Sequence, residues 1–157
     1  MPGLEDLYRE IILDHYRNPR NRGELEAPPA TRAEGFNPLC GDEIVVYLDV
    51  EDGRIEDIRI GGQGCSISQS SASMMSNAVK GHTVAEARAI TRAFKGMMSI
   101  HESSLDGDGD EELESHDDDV KLGDLEALRG VVKFPVRIKC ATLSWNTLAE
   151  GIEQATA

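Results

Sequence analysis

The stretch Gly61-Gly62-Gln63-Gly64-Cys65-Ser66-Ile67-Ser68-Gln69-Ser70-Ser71-Ala72-Ser73-Met74-Met75-Ser76 constrains the fold more than any other part of the chain. An apolar strand pattern runs into it and a helical pattern leaves it. Three glycines in four residues permit a sharp turn, because glycine has no Cβ to clash at positive φ. Cys65 then falls at the start of the helix, facing unpaired backbone N–H groups and the positive end of the helix dipole. Both favour the thiolate, the form that binds metal and attacks sulfur. A glycine-rich turn into a helix also suits phosphate, but the chain has neither a P-loop motif nor a GxGxxG fingerprint here. For one cysteine alone, the plain alternative is a small buried thiol beside a tight turn.

The length of 157 residues suits one domain, expected to span residues 1–157 with an acidic insertion around 101–126. A chain of this size needs no disulfides to fold. No apolar run approaches the ~18 residues of a membrane span, and Met1–Asp6 has no basic region followed by an apolar core, so no signal peptide is expected. Three cysteines, an odd and low count, suit a reducing compartment and suggest metal binding or reactive thiols, which places the protein in the cytoplasm. Of the net charge of −13, −11 lies between His101 and Glu126, leaving −2 for the rest. The surface therefore lacks the basic face that nucleic acid requires or that anionic membranes attract, and neither is expected as a partner.

Glu5 to Tyr16 reads as a helix with Leu4, Leu7, Ile11 and Ile12 on one face, broken at Asn18-Pro19 and followed by the basic turn Arg17–Gly23. His15 ends it, either as a ligand or, more commonly for this position, as an imidazole near the helix dipole. Pro28-Pro29 marks an extended connector. Cys40 lies in a loop or tight turn between Pro38 and Gly41, and a single glycine separates it from Asp42. That spacing lets thiolate and carboxylate converge on one ion.

Glu43–Val50 and Arg54–Ile60 read as two strands joined at Glu51-Asp52-Gly53, a hairpin signal. The helix after Cys65 runs to about Lys80, with Gly81 as its stop. Its serines suggest close packing, since no His or Asp motif accompanies them, and Met74 and Met75 read as core. Thr83-Val84-Ala85-Glu86 is a capping box opening a helix to about Met98, with Val84, Ala87, Ile90, Ala93, Phe94 and Met97 inward. Asp106–Asp110 resembles half of a calcium loop, but Glu111 stands where glycine is required and Asp117 where a bidentate Glu is expected, so a solvated acidic loop is the better reading. Asp124–Arg129 reads as a short helix and Val131–Pro135 as a connector. The last helix is expected from Ala141 to about Gln154, which puts Cys140 at its N-terminus with Lys139 beside it.

Cys40, Asp42, Cys65 and Cys140 together offer three thiolates and one carboxylate, all in predicted turns or at predicted helix starts. The set suits a four-coordinate divalent metal such as zinc. Without a CxxC pair, the residue types alone leave two readings: a metal or redox site, and three unrelated thiols.

The chain resembles the IscU-like iron–sulfur cluster assembly family, and within it the SufU branch. The resemblance is carried by Asp14-His15-Tyr16-Arg17-Asn18-Pro19-Arg20-Asn21, by Asn37-Pro38-Leu39-Cys40-Gly41-Asp42, by Gly61–Ser76 and by Arg137-Ile138-Lys139-Cys140-Ala141-Thr142-Leu143-Ser144-Trp145. IscU-type scaffolds carry a His immediately before the third Cys, where this chain has Lys139. SufU-type proteins have an insertion between the second and third Cys, and here 74 residues separate Cys65 from Cys140.

The resemblance implies an α+β fold with a small, mostly antiparallel sheet packed on one face by helices. It implies Zn²⁺ held by Cys40, Asp42, Cys65 and Cys140, and a role as sulfur carrier or sulfurtransferase. Cys140 would accept persulfide sulfur from a SufS-type cysteine desulfurase and pass it to SufBCD-type assembly machinery. In the family mechanism, a His of the desulfurase displaces Cys140 from zinc and frees it as the nucleophile. Two alternatives stand beside this: a scaffold that assembles a [2Fe–2S] cluster on the same four residues, against which the missing His weighs, and a module with a closed structural zinc.

Overall fold

A computed structural model describes residues 3–26, 30–38, 41–106, 123–133 and 135–156. The fold is α+β. Helix α1 (Gly3–Arg17) precedes strands β1 (Thr31–Asn37), β2 (Asp42–Glu51) and β3 (Arg54–Gln63). Then follow α2 (Ser66–Val79), α3 (Val84–Asp106), a 3-10 helix (Gly123–Lys133) and α4 (Pro135–Ala155). The strands form one antiparallel sheet in the order β1-β2-β3.

The β2–β3 hairpin turns at Asp52 and Gly53, both at positive φ (55° and 76°), as an Asp-Gly turn matched to the strand twist requires. Alternation along the strands sends Ile44, Val46, Leu48, Ile58 and Ile60 inward, all buried. The opposite face carries exposed Glu34, Phe36 and Glu43, with the Arg32 guanidinium 5.8 Å from the Tyr47 ring centroid.

Helix α2 is the hub. Its residues from Ser68 to Ser76 are all buried, so it is enclosed on every side. Small side chains let α1, α4 and the sheet approach it closely, as the serine-rich composition suggests. Ser71 is satisfied from a neighbouring element: its Oγ donates to Ala141 O at 2.6 Å and accepts from Trp145 Nε1 at 3.2 Å. Trp145 is fully buried and stacks on Phe94, ring centroids 4.7 Å apart.

The capping box forms as expected. Thr83 N donates to Glu86 Oε1 at 2.9 Å and Glu86 N to Thr83 Oγ1 at 3.1 Å. The Thr83 N–H, and after it His82, hold the Glu86 carboxyl below the usual carboxylate range.

Four expectations are corrected. A third strand, β1, lies where a connector and loop are expected; it has no Val or Ile, and Gly35 sits where a Cβ would collide with the Thr147 side chain of α4. Helix α3 continues past Met98 to Asp106. Val131–Lys133 belongs to the 3-10 helix instead of a connector. Helix α4 starts at Pro135, so Cys140 is its sixth residue and does not stand at a helix N-terminus. Proline at a first helical position is favoured, since its missing N–H is unneeded there. The acidic residues 107–122, with most of the half calcium loop, lie outside the described residues. Among those described, no helix is long and apolar enough to cross a membrane.

Phe94→Ala removes the stacking partner of Trp145 and leaves a cavity at the junction of α3 and α4. It is expected to cost about 3–5 kcal/mol, read as a lowered urea midpoint with little change in slope.

Candidate metal and sulfur site

The site forms where the start of β2, the start of α2 and the second turn of α4 meet. Strand β3 carries the chain toward it. Gly62 has φ 107°, and a Cβ there would strike the Glu43 backbone, so the turn requires glycine. At Gly64 a Cβ would strike the Asp42 carboxylate and the Ser68 hydroxyl. The missing side chain leaves the space that Asp42 fills.

Cys65 is the N-cap of α2, as expected. Its extended backbone (φ −71°, ψ 170°) turns the side chain back over the helix start, where Ser68 N donates to Sγ at 3.5 Å. Asp42 Oδ1 accepts from Cys65 N at 2.9 Å, and Oδ2 lies 4.0 Å from Cys65 Sγ. Asp42 is 0% exposed, and none of the ion pairs among the described residues includes it.

Cys140, also 0% exposed, enters from α4, and Asn37 Nδ2 donates to its Sγ at 3.9 Å. Neither Cys65 nor Cys140 is in a disulfide. One ligand atom from each of Asp42, Cys65 and Cys140 lies within 4.8 Å of the others. Two sulfurs and a carboxylate oxygen at this spacing match the donor preference of zinc. The set also brings together groups that are anionic when they ligate, so a cation between them supplies the compensation that burial demands. The donors therefore fit a divalent metal.

Of the four residues singled out from the sequence, the structure brings three together. Cys40 lies outside the described residues, between Asn37 and Asp42, which pair in register at the ends of β1 and β2. Lys139 is exposed while Cys140 is buried, as their roughly 100° separation around a helix allows. His15 is 1% exposed and sits 2.8 Å from Ser73 Oγ, packed between α1 and α2 and away from the metal donors. Asn37, the side chain on the Cys140 sulfur, was not identified from sequence. Its signal was the unrecognised strand β1, whose alternation turns Asn37 inward beside exposed Phe36.

The NifU-like N-terminal domain family matches residues 7–141. The chain is 44% identical over 149 residues to the zinc-dependent sulfurtransferase SufU of Bacillus subtilis, covering 95% of this chain and 91% of that one. It is 38% identical over 152 residues to the iron–sulfur cluster assembly scaffold protein IscU of Streptococcus pyogenes, covering 97% and 86%. Among solved structures it resembles FiSufU of Fervidobacterium islandicum AW-1, described as a candidate iron–sulfur cluster assembly scaffold protein for the SUF system. That likeness has a TM-score of 0.71 and 30% identity, over 94% of this chain and 97% of that one. The chain therefore belongs to the NifU-like N-terminal domain family, alongside the SufU and IscU proteins of iron–sulfur cluster assembly.

Proposed function

We propose that the protein is a zinc-dependent sulfur acceptor in iron–sulfur cluster assembly, taking persulfide sulfur on Cys140 from a SufS-type cysteine desulfurase for SufBCD-type machinery. The observation that carries this reading is the convergence of Asp42, Cys65 and Cys140 within 4.8 Å, in a chain that is 44% identical to a protein named as a zinc-dependent sulfurtransferase. Cys40 completes the donor set from its place two residues before Asp42. The whole chain acts as one domain, with the acidic segment 101–126 as an insertion. Zinc, when bound, holds the thiols deprotonated and shields the sulfur of Cys140 from oxidation.

The chain's own residues set the rest. Asp42 holds the N-terminus of α2 through the Cys65 N–H, which keeps Cys65 aligned. Asn37 directs the Cys140 sulfur toward the donor cluster. Since Cys140 is fully buried, a second protein reaches it only after the start of α4 moves, so docking is coupled to exposure. The exposed Cys140 thiolate attacks the outer sulfur of the donor's persulfide. A new S–S bond forms on Cys140, the donor's S–S bond breaks, and its cysteine leaves as the thiolate.

A scaffold for a [2Fe–2S] cluster would use the same donors, and the likeness to the S. pyogenes IscU favours keeping that reading in view. Exposed Lys139 occupies the place before Cys140 where an IscU-type His would stand. Protein purified anaerobically is expected to hold about one equivalent of zinc, as one four-ligand site would, without acid-labile sulfide. Equal iron and sulfide would establish the scaffold instead.

Incubated with a SufS-type desulfurase and cysteine, the protein is expected to gain the mass of one sulfur atom. Cys140→Ser is expected to gain none; undiminished loading would move the acceptor elsewhere. Asp42→Asn keeps an acceptor for the Cys65 N–H and removes the anionic oxygen. It is expected to lower zinc affinity by at least about tenfold in chelator competition, with the fold retained by circular dichroism.

A further inference from the structure

The basic turn after α1 has no part in the sulfur chemistry above, and the structure shows where it goes. Residues Asn18–Gly23 form a strap across α2 and the outer edge of β3. Arg20 N donates to Ser73 Oγ at 2.9 Å, and Asn21 Nδ2 to Ser76 Oγ at 3.1 Å. Ile60 N donates to Asn21 O at 2.9 Å and Gly23 N to Ile60 O at 3.0 Å, giving a parallel bridge between Arg22 and Ile60. The strap thus extends the sheet by one bridge and uses the hydroxyls of α2 as its anchors.

Arg22 does something its neighbours do not. Its Nη2 donates to Gly62 O at 2.7 Å, at the end of β3 before the site. Its Nη1 donates to Gln69 Oε1 at 3.0 Å, on the first turn of α2 after the site. One planar guanidinium therefore spans both ends of the glycine turn that carries Cys65. Inside the same turn, Asp42 holds the Cys65 N–H. The turn is built from glycines, which resist deformation least, so it needs restraint from outside the cluster as well as from within it.

We infer that Arg22 is a positioning residue for the metal site: it clamps Gly62 to Gln69 and so keeps Cys65 at the distance from Asp42 that a shared cation requires. The inference rests on the metal reading above. The planar fork of arginine fixes two acceptors in one geometry, whereas a lysine ammonium is a compact point charge on a flexible stem and fixes their spacing less well. Partners that orient ligands without touching the metal commonly affect affinity by 10–100-fold.

The test compares Arg22→Ala, Arg22→Lys and Arg20→Ala in the full chain. Arg20 belongs to the same strap, but its side chain binds Asp14 and Asn18 O and does not reach the glycine turn. Two quantities are read: zinc affinity by competition with a chromophoric chelator, and amide hydrogen exchange at Cys65 and Ser68 in zinc-free protein. Arg22→Ala is expected to lower zinc affinity at least about tenfold and to speed exchange at both amides by a factor on the order of ten. Arg22→Lys should recover only part of each, and Arg20→Ala should leave both near wild type. Unchanged exchange and affinity in Arg22→Ala, or equal losses in Arg20→Ala, would overturn the assignment. If Arg22→Ala does not fold, Gln69→Ala removes the other end of the clamp; exchange at Cys65 and Ser68 that does not rise would then overturn it. Wild-type protein that binds no zinc would refute the metal reading alone, because the exchange comparison is made without metal and still decides the clamp.

Discussion

The hydrogen bond from the Cys65 N–H to Asp42 Oδ1 joins the sheet to its central helix at the one place among the described residues where a carboxylate is fully buried. Burying an ionised carboxylate costs several kcal/mol unless donors or a cation compensate. Here the backbone supplies one donor, and two cysteines stand close by. The arrangement is poorly suited to stability as such and well suited to holding a cation. Much of the surrounding architecture follows from it: Gly64 because a Cβ would displace the carboxylate, Gly62 because the strand must turn against the Glu43 backbone, and Cys65 as cap because its sulfur must fold back over the helix start.

Helix α2 carries this corner and is enclosed by the rest of the molecule. A helix buried on all sides is ordinarily apolar throughout, but α2 is rich in serine. Serine makes room for close neighbours, and each hydroxyl then needs a partner. At two of them the partners come from distant parts of the chain: Trp145 and Ala141 of α4 at Ser71, and His15 and the Arg20 backbone at Ser73. The polar atoms of the hub thereby specify which elements pack on it.

Much of this was legible in the sequence because local chemistry decided it. The Asp52-Gly53 turn, the Thr83–Glu86 capping box and the Cys65 helix start each depend on residues a few positions apart. Strand β1 was hidden because only Thr31 and Phe36 in it favour strands, while its Ala, Glu, Gly and Asn are disfavoured there; Gly35 is there for the approach of α4, which sequence pattern alone does not reveal. The start of α4 was misplaced because Pro135 was read as the end of a connector. Placing Cys140 at a helix N-terminus followed from that. His15 stands in the last turn of α1 as its position implies, but its contact with Ser73, 58 residues away, is one that local pattern does not reveal.

The anchorage of α4 has a kinetic consequence. From Ala141 onward the helix is held by the Ser71 hydroxyl on its backbone and by Trp145 against Phe94. Cys140 stands one residue before that anchor, and the helix begins at Pro135. The stretch that must yield to bring the sulfur out is therefore less than two turns at a helix end. Opening a packed helix start is local unfolding, which takes from microseconds to seconds. On the proposed function, hand-over runs no faster than this stretch opens, so the anchor at Ala141 limits how much of the helix has to be undone for each sulfur received.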